Sequence, residues 1–273
     1  MPQPTPTETV QLTAANVTLE VGSEPSTGST QTVTAHIIRA GQVFDGENKR
    51  YNLTDGGQAE GQPSLFALED GATLRNVVIG NLSADGVHCY GSCLIENVWW
   101  EDVGEDAATA KGPAGSTMHI NCGSARSASD KTFQHNGRGE MLITNFSVED
   151  AGKLYRSCGD CTNNGGPRVV TINNVKLKNV LTVVGINTEM KGVTNFDPDR
   201  TYISNLTVEH TGSHKVKICQ VYSGAIKGSG SASALGVEFE TASCNVSPSD
   251  ITLIGATQLN LTDYTGTAVP KQQ

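Results

Sequence analysis

Asn-Val and close variants of it return along the middle of this chain. The markers are Asn76-Val77, Asn97-Val98, Asn121-Cys122, Asn145-Phe146, Asn174-Val175 and Asn205-Leu206, spaced 21, 24, 24, 29 and 31 residues apart. A self-similar period in this range marks a solenoid, in which each repeat is one coil that buries its apolar face only against its neighbours. Short β-branched runs bounded by Gly, Asn or Asp read as strands, among them Val77-Val78-Ile79, Arg168-Val169-Val170-Thr171-Ile172 and Tyr202-Ile203. Few stretches carry a helical period. The chain is therefore expected to be an all-β solenoid.

Charged residues keep step with the markers. Asp85 lies nine residues after the first, Glu105 and Asp106 eight and nine after the second, Lys131 ten after the third and Arg156 eleven after the fourth. If each period is one coil, these side chains stack on one face, roughly 4.8 Å apart, the spacing of paired strands. Taken singly, each has an ordinary explanation: Asp-Gly marks turns, and lone Lys and Arg are solvated. In register, Asp85, Glu105 and Asp106 form an oxygen-rich site of the kind a hard cation such as Ca²⁺ prefers. Lys111, Lys131 and Arg156 beside them either neutralise the carboxylates or grip an acidic sugar, Arg156 bidentately.

Other motifs carry less. Cys158-x-x-Cys161 has no second pair to make a zinc site, and no His-Glu-x-x-His spacing exists. Of the histidines only His135 is expected at the cleft, and Glu69-Asp70-Gly71 is expected to be a turn.

The net charge of −9 argues against a nucleic-acid partner and against simple electrostatic capture of a polyanion. No apolar stretch is long enough to span a membrane. The opening Met-Pro-Gln-Pro-Thr-Pro-Thr has neither a basic nor an apolar leader region, so no signal peptide is expected within this chain. Seven cysteines suggest disulfides and an oxidising, extracellular setting, with Cys219–Cys244 one expected bridge. Residues 1–32 are expected to be a flexible segment with one strand at Val17–Val21, 33–265 a single solenoid, and 266–273 a tail. Within it, 33–71 enter and cap, 72–212 form regular coils, Ile226–Ala234 is a flexible loop, and Val237–Glu240 and Asp250–Ile254 are closing strands. A solenoid with capped ends is expected to be a monomer.

At these residues the chain resembles the family 3 polysaccharide lyases, small secreted pectate lyases. The matching segments are Val43-Phe44-Asp45-Gly46, Phe66–Gly80, Gly86-Val87-His88-Cys89, Glu96–Ala108, Asp130–Gly137 and Gly152–Cys161, within residues 33–255. The resemblance implies a right-handed parallel β-helix, Ca²⁺ dependence and β-elimination on polygalacturonate. It implies that Asp85, Glu105 and Asp106 bind the metal and that Lys131 is the base, with Lys111 and Arg156 as cleft cations. Glu60, Asp130 and Gln134 fall near the substrate. Relatives often carry Cys where Gly104 stands, so one usual disulfide is expected to be missing and a thiol left over; Cys122 is also atypical.

Elimination needs removal of the C5 proton beside a carboxylate, then loss of the 4-O-linked sugar. Lys131 must be neutral to take that proton, and the neighbouring cations are expected to push its pKa down. Arg156 is the alternative base, disfavoured because guanidinium is far harder to deprotonate. Two rival functions remain open at this level. A glycoside hydrolase needs opposed carboxyl groups, whereas these are clustered. A non-catalytic uronan-binding protein would use Ca²⁺ only as a bridge.

Overall fold

The computed structural model describes residues 12–13, 22, 24–25, 29–59 and 61–261. The strand expected at Val17–Val21, most of the segment 1–32 and the tail 266–273 lie outside them, as does Glu60. The described strands form one hydrogen-bonded sheet of nineteen strands, wound as a parallel β-helix without an α-helix among the described residues. The stack already includes Thr30–Val33, which pairs in parallel with the strand Val43–Leu53.

Three faces follow from the register. The first carries Phe66–Leu68, Asp85–Cys89, Asp106–Ala110 and Lys131–His135, then the last parts of Gly139–Ser157 and Arg168–Met190 and the strand Val216–Gly224. The second and third faces share strands, because Ala72–Ile79, Cys93–Trp100, Thr117–Arg126 and Arg200–Glu209 each turn a corner midway. The recurring asparagines make that corner. Asn76, Asn97, Asn145, Asn174 and Asn205 all hold left-handed backbone with φ between 50 and 55°. Asn enters that region more readily than most side chains because its short amide bonds locally. Asn97 Nδ2 donates to Asn76 Oδ1 at 3.2 Å and Asn174 Nδ2 to Asn145 Oδ1 at 2.8 Å, so the corners are tied along the axis.

In the third coil the corner residue is Cys122, φ 62°, rather than Asn121. Gly123 pairs with Val98 and Phe146, which sets Cys122 opposite Asn97 and Asn145 and puts the expected marker one residue early. Asn121 still takes part, accepting from Asn145 Nδ2 at 2.8 Å.

Inside, equivalent positions stack. Leu74, Ile95, Ile120, Ile143, Ile172 and Ile203 pair in succession, and none is more than 4% exposed. Each such side chain contributes about 1.5–3 kcal/mol on burial, though only with a neighbouring coil above or below it. Trp100, Phe133 and Phe146 form an aromatic cluster with centroids 5.4–6.1 Å apart.

The bridge Cys219–Cys244 is present as expected, with Cys89–Cys93 and Cys158–Cys161; Cys122 is the free thiol. Near the end, Val216–Gly224 pairs antiparallel with Ser233–Glu238. That strand takes Ser233 and Ala234 out of the expected loop and starts four residues before the expected Val237. Ile251–Ile254 closes the third face, preceded by a 3₁₀ turn at Pro248–Asp250.

Candidate active site

Three first-face strands begin with the charged residues singled out above. Asp85 opens Asp85–Cys89, Asp106 opens Asp106–Ala110, and the two are register partners. Lys131 opens Lys131–His135; because Phe133 pairs with Ala108, Lys131 stands one coil beyond Asp106. Counted from Cys122 it lies nine residues on, the same phase as Asp85 and Asp106. Gly86 lets the first of these strands close in, since a Cβ there would stand 2.4 Å from Ala107 O and 2.5 Å from Trp100 Nε1.

Arg156 departs from the expected column. It pairs with Gln134, and Lys153 pairs with Lys131. The left-handed corner before the first face lies one residue nearer the strand at Asp150 than at Ser127, which accounts for one of the three residues separating Arg156 from Lys153. The other two lie in its spacing, eleven from Asn145 against nine from Cys122 to Lys131. Lys153 escaped the sequence reading, although it stands two residues before Tyr155 as Lys131 stands two before Phe133.

The outward row is His88, Thr109, Gln134, Arg156 and Gly185, partners in succession. Arg156 is buried, its guanidinium carbon 3.8 Å from the Tyr222 ring centroid. Its Nη1 donates to Asn187 Oδ1 at 3.0 Å and Gly185 O at 3.4 Å. Asn187 is fixed in turn: its N–H donates to Asp199 Oδ2 and its Nδ2 to Cys158 O, at 3.1 and 2.8 Å. Neither Tyr222 nor Asn187 carried a signal in the sequence, because a cation-stacking ring and an orienting amide have no spacing of their own.

An open cleft of about 770 Å³ lies on this face, lined among others by Asp85, Glu105, Asp106, Lys111, Lys131 and Gln134. Arg156 is not among its lining residues, and Asp130 sits at the rim between Lys131 and Lys153, at 3.2 and 2.7 Å. Lys111 Nζ lies 5.9 Å from the Tyr90 ring centroid. The expectation for the histidines is reversed. His135 is fully buried and bonds Tyr155 at 3.0 Å, burial and then Arg168 driving its pKa down to about 3. His88 lines the cleft instead, 3.4 Å from Asp85 Oδ2.

Burial pushes the Asp106 carboxyl above the usual range, against the pull of Lys131. Its Oδ2 accepts from the Thr109 hydroxyl at 3.0 Å. Its Oδ1 is buried with no hydrogen bond among the described residues, and Lys131 Nζ is 3.3 Å away. For Lys131 burial acts downward, but Asp106 and Asp130 outweigh it and hold the ammonium above its ordinary pKa. Among the chain's own groups the two carboxylates thus outweigh the lowering expected from Lys111 and Arg156. Among the described residues no three Asp, Glu, His or Cys side chains converge into a finished metal cage. The donors at hand are carboxylate oxygens with one buried lone pair unmet, which suits a hard cation that takes further oxygens from substrate or water.

A family model described as pectate lyase matches residues 21–229. Pectate lyase E of Emericella nidulans is 43% identical over 176 residues, 63% of this chain and 69% of that protein. Probable pectate lyase D of Neosartorya fischeri is 40% identical over 195 residues, 69% of this chain and 80% of that protein. Among solved structures, the catalytic domain of pectate lyase PelI from Erwinia chrysanthemi superposes with a TM-score of 0.71 at 33% identity, covering 82% of this chain and all of that one. The PelI complex with tetragalacturonic acid gives 0.66 at 33% identity, over 83% of this chain and 70% of that one.

Proposed function

The chain belongs to the pectate lyase family, and we propose that it is a calcium-dependent lyase cleaving polygalacturonate by β-elimination to unsaturated oligogalacturonides. The observation that carries this reading is the register of Asp85, Asp106 and Lys131 on three successive strands at one cleft. That arrangement sets a metal-competent carboxylate pair one strand spacing from a candidate base.

Asp85, Glu105 and Asp106 would hold the cation, with Asp106 Oδ1, which makes no hydrogen bond among the described residues beyond its ion pair with Lys131, free to turn to it. When bound, calcium supplies Lewis-acid stabilisation of the charge that develops on the uronate carboxylate as C5 loses its proton. Lys131 takes that proton, the C5–H electron pair forms the C4–C5 double bond, and the C4–O bond breaks, the leaving sugar oxygen taking a proton from water. The resting form of Lys131 is the ammonium, so it acts only in the fraction deprotonated at alkaline pH. Arg156 stays charged despite burial and, stacked on Tyr222 and held by Asn187, stands behind the cleft wall beside Gln134, where its charge favours an anionic substrate without contacting it and without accepting a proton. Lys111 and Gln134 bind the sugar chain in the cleft, and Asp130 at the rim fixes Lys131 and Lys153. The three disulfides suit secretion to where the polymer is met, and one β-helical unit acts as a monomer.

The test is ultraviolet absorbance during incubation with polygalacturonate at alkaline pH, with and without EDTA. A rise that EDTA abolishes is expected, since elimination alone creates the absorbing unsaturated uronide. New reducing ends without absorbance would mean hydrolysis, and neither signal would mean a binding protein.

A further inference from the structure

The cleft does not end at Lys111. Lys111, Asn136 and Asn163 also line a second hollow of about 540 Å³, together with Gly112, Gly137 and Arg138. A third, of about 490 Å³, shares Ala114 and Arg138 with the second and runs on to Gly166 and Pro167. Each hollow shares lining residues with the next. They form one groove that leaves the first face across the loops joining it to the second.

Arg138 is the side chain common to the outer two hollows that carries charge. Among the described residues neither Arg138 nor Lys111 forms an ion pair with a carboxylate. The guanidinium is held all the same. Its Nη2 donates to Asn163 O at 2.9 Å. It also rests against Gly165, where a Cβ would stand 2.7 Å from that nitrogen and 3.3 Å from the guanidinium carbon. Burial and then the neighbouring Arg168 act against its charge, and the buried Asp199, beyond ion-pair distance, offsets them only in part. A half-buried cation, fixed in place, turned to a groove and lacking a carboxylate partner, is unusual in a chain of net charge −9. An anionic ligand would satisfy it, and a planar fork matches a carboxylate bidentately.

We propose that the second hollow is a further uronate-binding subsite, in which Arg138 takes the carboxylate of a galacturonate unit lying beyond Lys111. This rests on the lyase reading, which supplies a polymer with one carboxylate on every sugar. Arg138 then measures substrate length. It touches a distant unit and not the bond that breaks.

The experiment compares wild type, Arg138→Gln, Arg138→Lys and Gly165→Ala on galacturonate oligomers of increasing length, reading kcat/KM for each. Arg138→Gln is expected to lose roughly tenfold on long oligomers, the scale of one charge-assisted hydrogen bond, with a loss that grows from short to long. Arg138→Lys recovers part of it, keeping the charge without the fork. Gly165→Ala displaces the guanidinium while leaving the charge, and gives an intermediate loss with the same length dependence. A loss equal at every length, or no loss on long oligomers, overturns the subsite. Wild type that forms no unsaturated product from any oligomer refutes the lyase reading itself, and the subsite falls with it.

Discussion

Replacing Lys131 separates chemistry from stability. Its ammonium is 3.3 Å from Asp106 and 3.2 Å from Asp130, and the side chains of Lys131 and Asp106 are 19% and 13% exposed. Breaking a fully buried pair costs about 3–5 kcal/mol and an exposed one about 0–1. Lys131→Ala therefore costs roughly 1–2 kcal/mol, or a melting temperature lower by roughly 2–8 °C in a chain this long. A general base contributes about 10²–10⁴ in rate, equivalent to about 3–5 kcal/mol of barrier. The variant should thus melt somewhat early yet cleave polygalacturonate at least a hundredfold more slowly. Lys131→Arg is the sharper probe. It keeps the ion pair with Asp106, and with it the melting temperature, but cannot give up a proton near neutral pH. Initial rates of ultraviolet absorbance, beside thermal melts of the same samples, decide the matter. Lys131→Arg working within about tenfold of wild type would remove Lys131 from the base role.

Other consequences follow from the same contacts. Asp130, which does not hold the metal, raises the Lys131 pKa, so Asp130→Asn should move the alkaline limb of the rate to lower pH by a few tenths of a unit, since an exposed pair is worth only about 0.2–1 kcal/mol. An unmoved limb would mean that another group sets it. Asn187→Ala strips Arg156 Nη1 and Cys158 O of a partner and should lower stability by about 2–3 kcal/mol while raising KM more than it lowers kcat, read by melts and steady-state kinetics. Cys122→Asn places the favoured residue at a left-handed corner flanked by Asn97 and Asn145, and should raise the melting temperature by roughly 1–4 °C. Polygalacturonate binding by Lys131→Ala, measured by calorimetry, should require calcium and be weakened in the double variant that adds Asp106→Asn; binding indifferent to EDTA would refute a metal held by the carboxylates.

The coil period was legible because a backbone constraint wrote it: only a few residue types accept the left-handed corner, so Asn recurs at that step. The same constraint explains the misreading at Asn121, where Cys122 takes the corner and the nearest Asn sits one residue early. Asp85, Asp106 and Lys131 were legible because each opens a strand at constant distance from its corner. Arg156 falls in another row because it lies eleven residues from Asn145 where the column of Lys131 needs eight, two of the three from the spacing itself and one from the shorter corner at Asp150. His88 and His135 could not be separated by sequence, since both lie on first-face strands and only the pleat decides which meets the cleft. Arg138 carried no signal at all: its significance lies in its having no ion pair with a carboxylate among the described residues while lining two hollows, a property of three dimensions.

Charge explains how an acidic chain can hold a polyanion. The cleft is lined by four carboxylates, Asp85, Glu105, Asp106 and Asp160, against three lysines, Lys111, Lys131 and Lys227. By its own side chains it carries one excess negative charge, and a uronate would be repelled. One divalent cation on the carboxylates reverses the sign to one excess positive charge and leaves the lysines free to meet substrate. Metal dependence in this scheme belongs to binding before it belongs to chemistry. Arg138 extends the same logic outward: where the groove leaves the acidic cluster, a fixed guanidinium holds positive potential without any metal. Calcium should therefore matter most for the sugars at the breaking bond, and Arg138 for those beyond Lys111, so that the two contributions to affinity add as separate sites do.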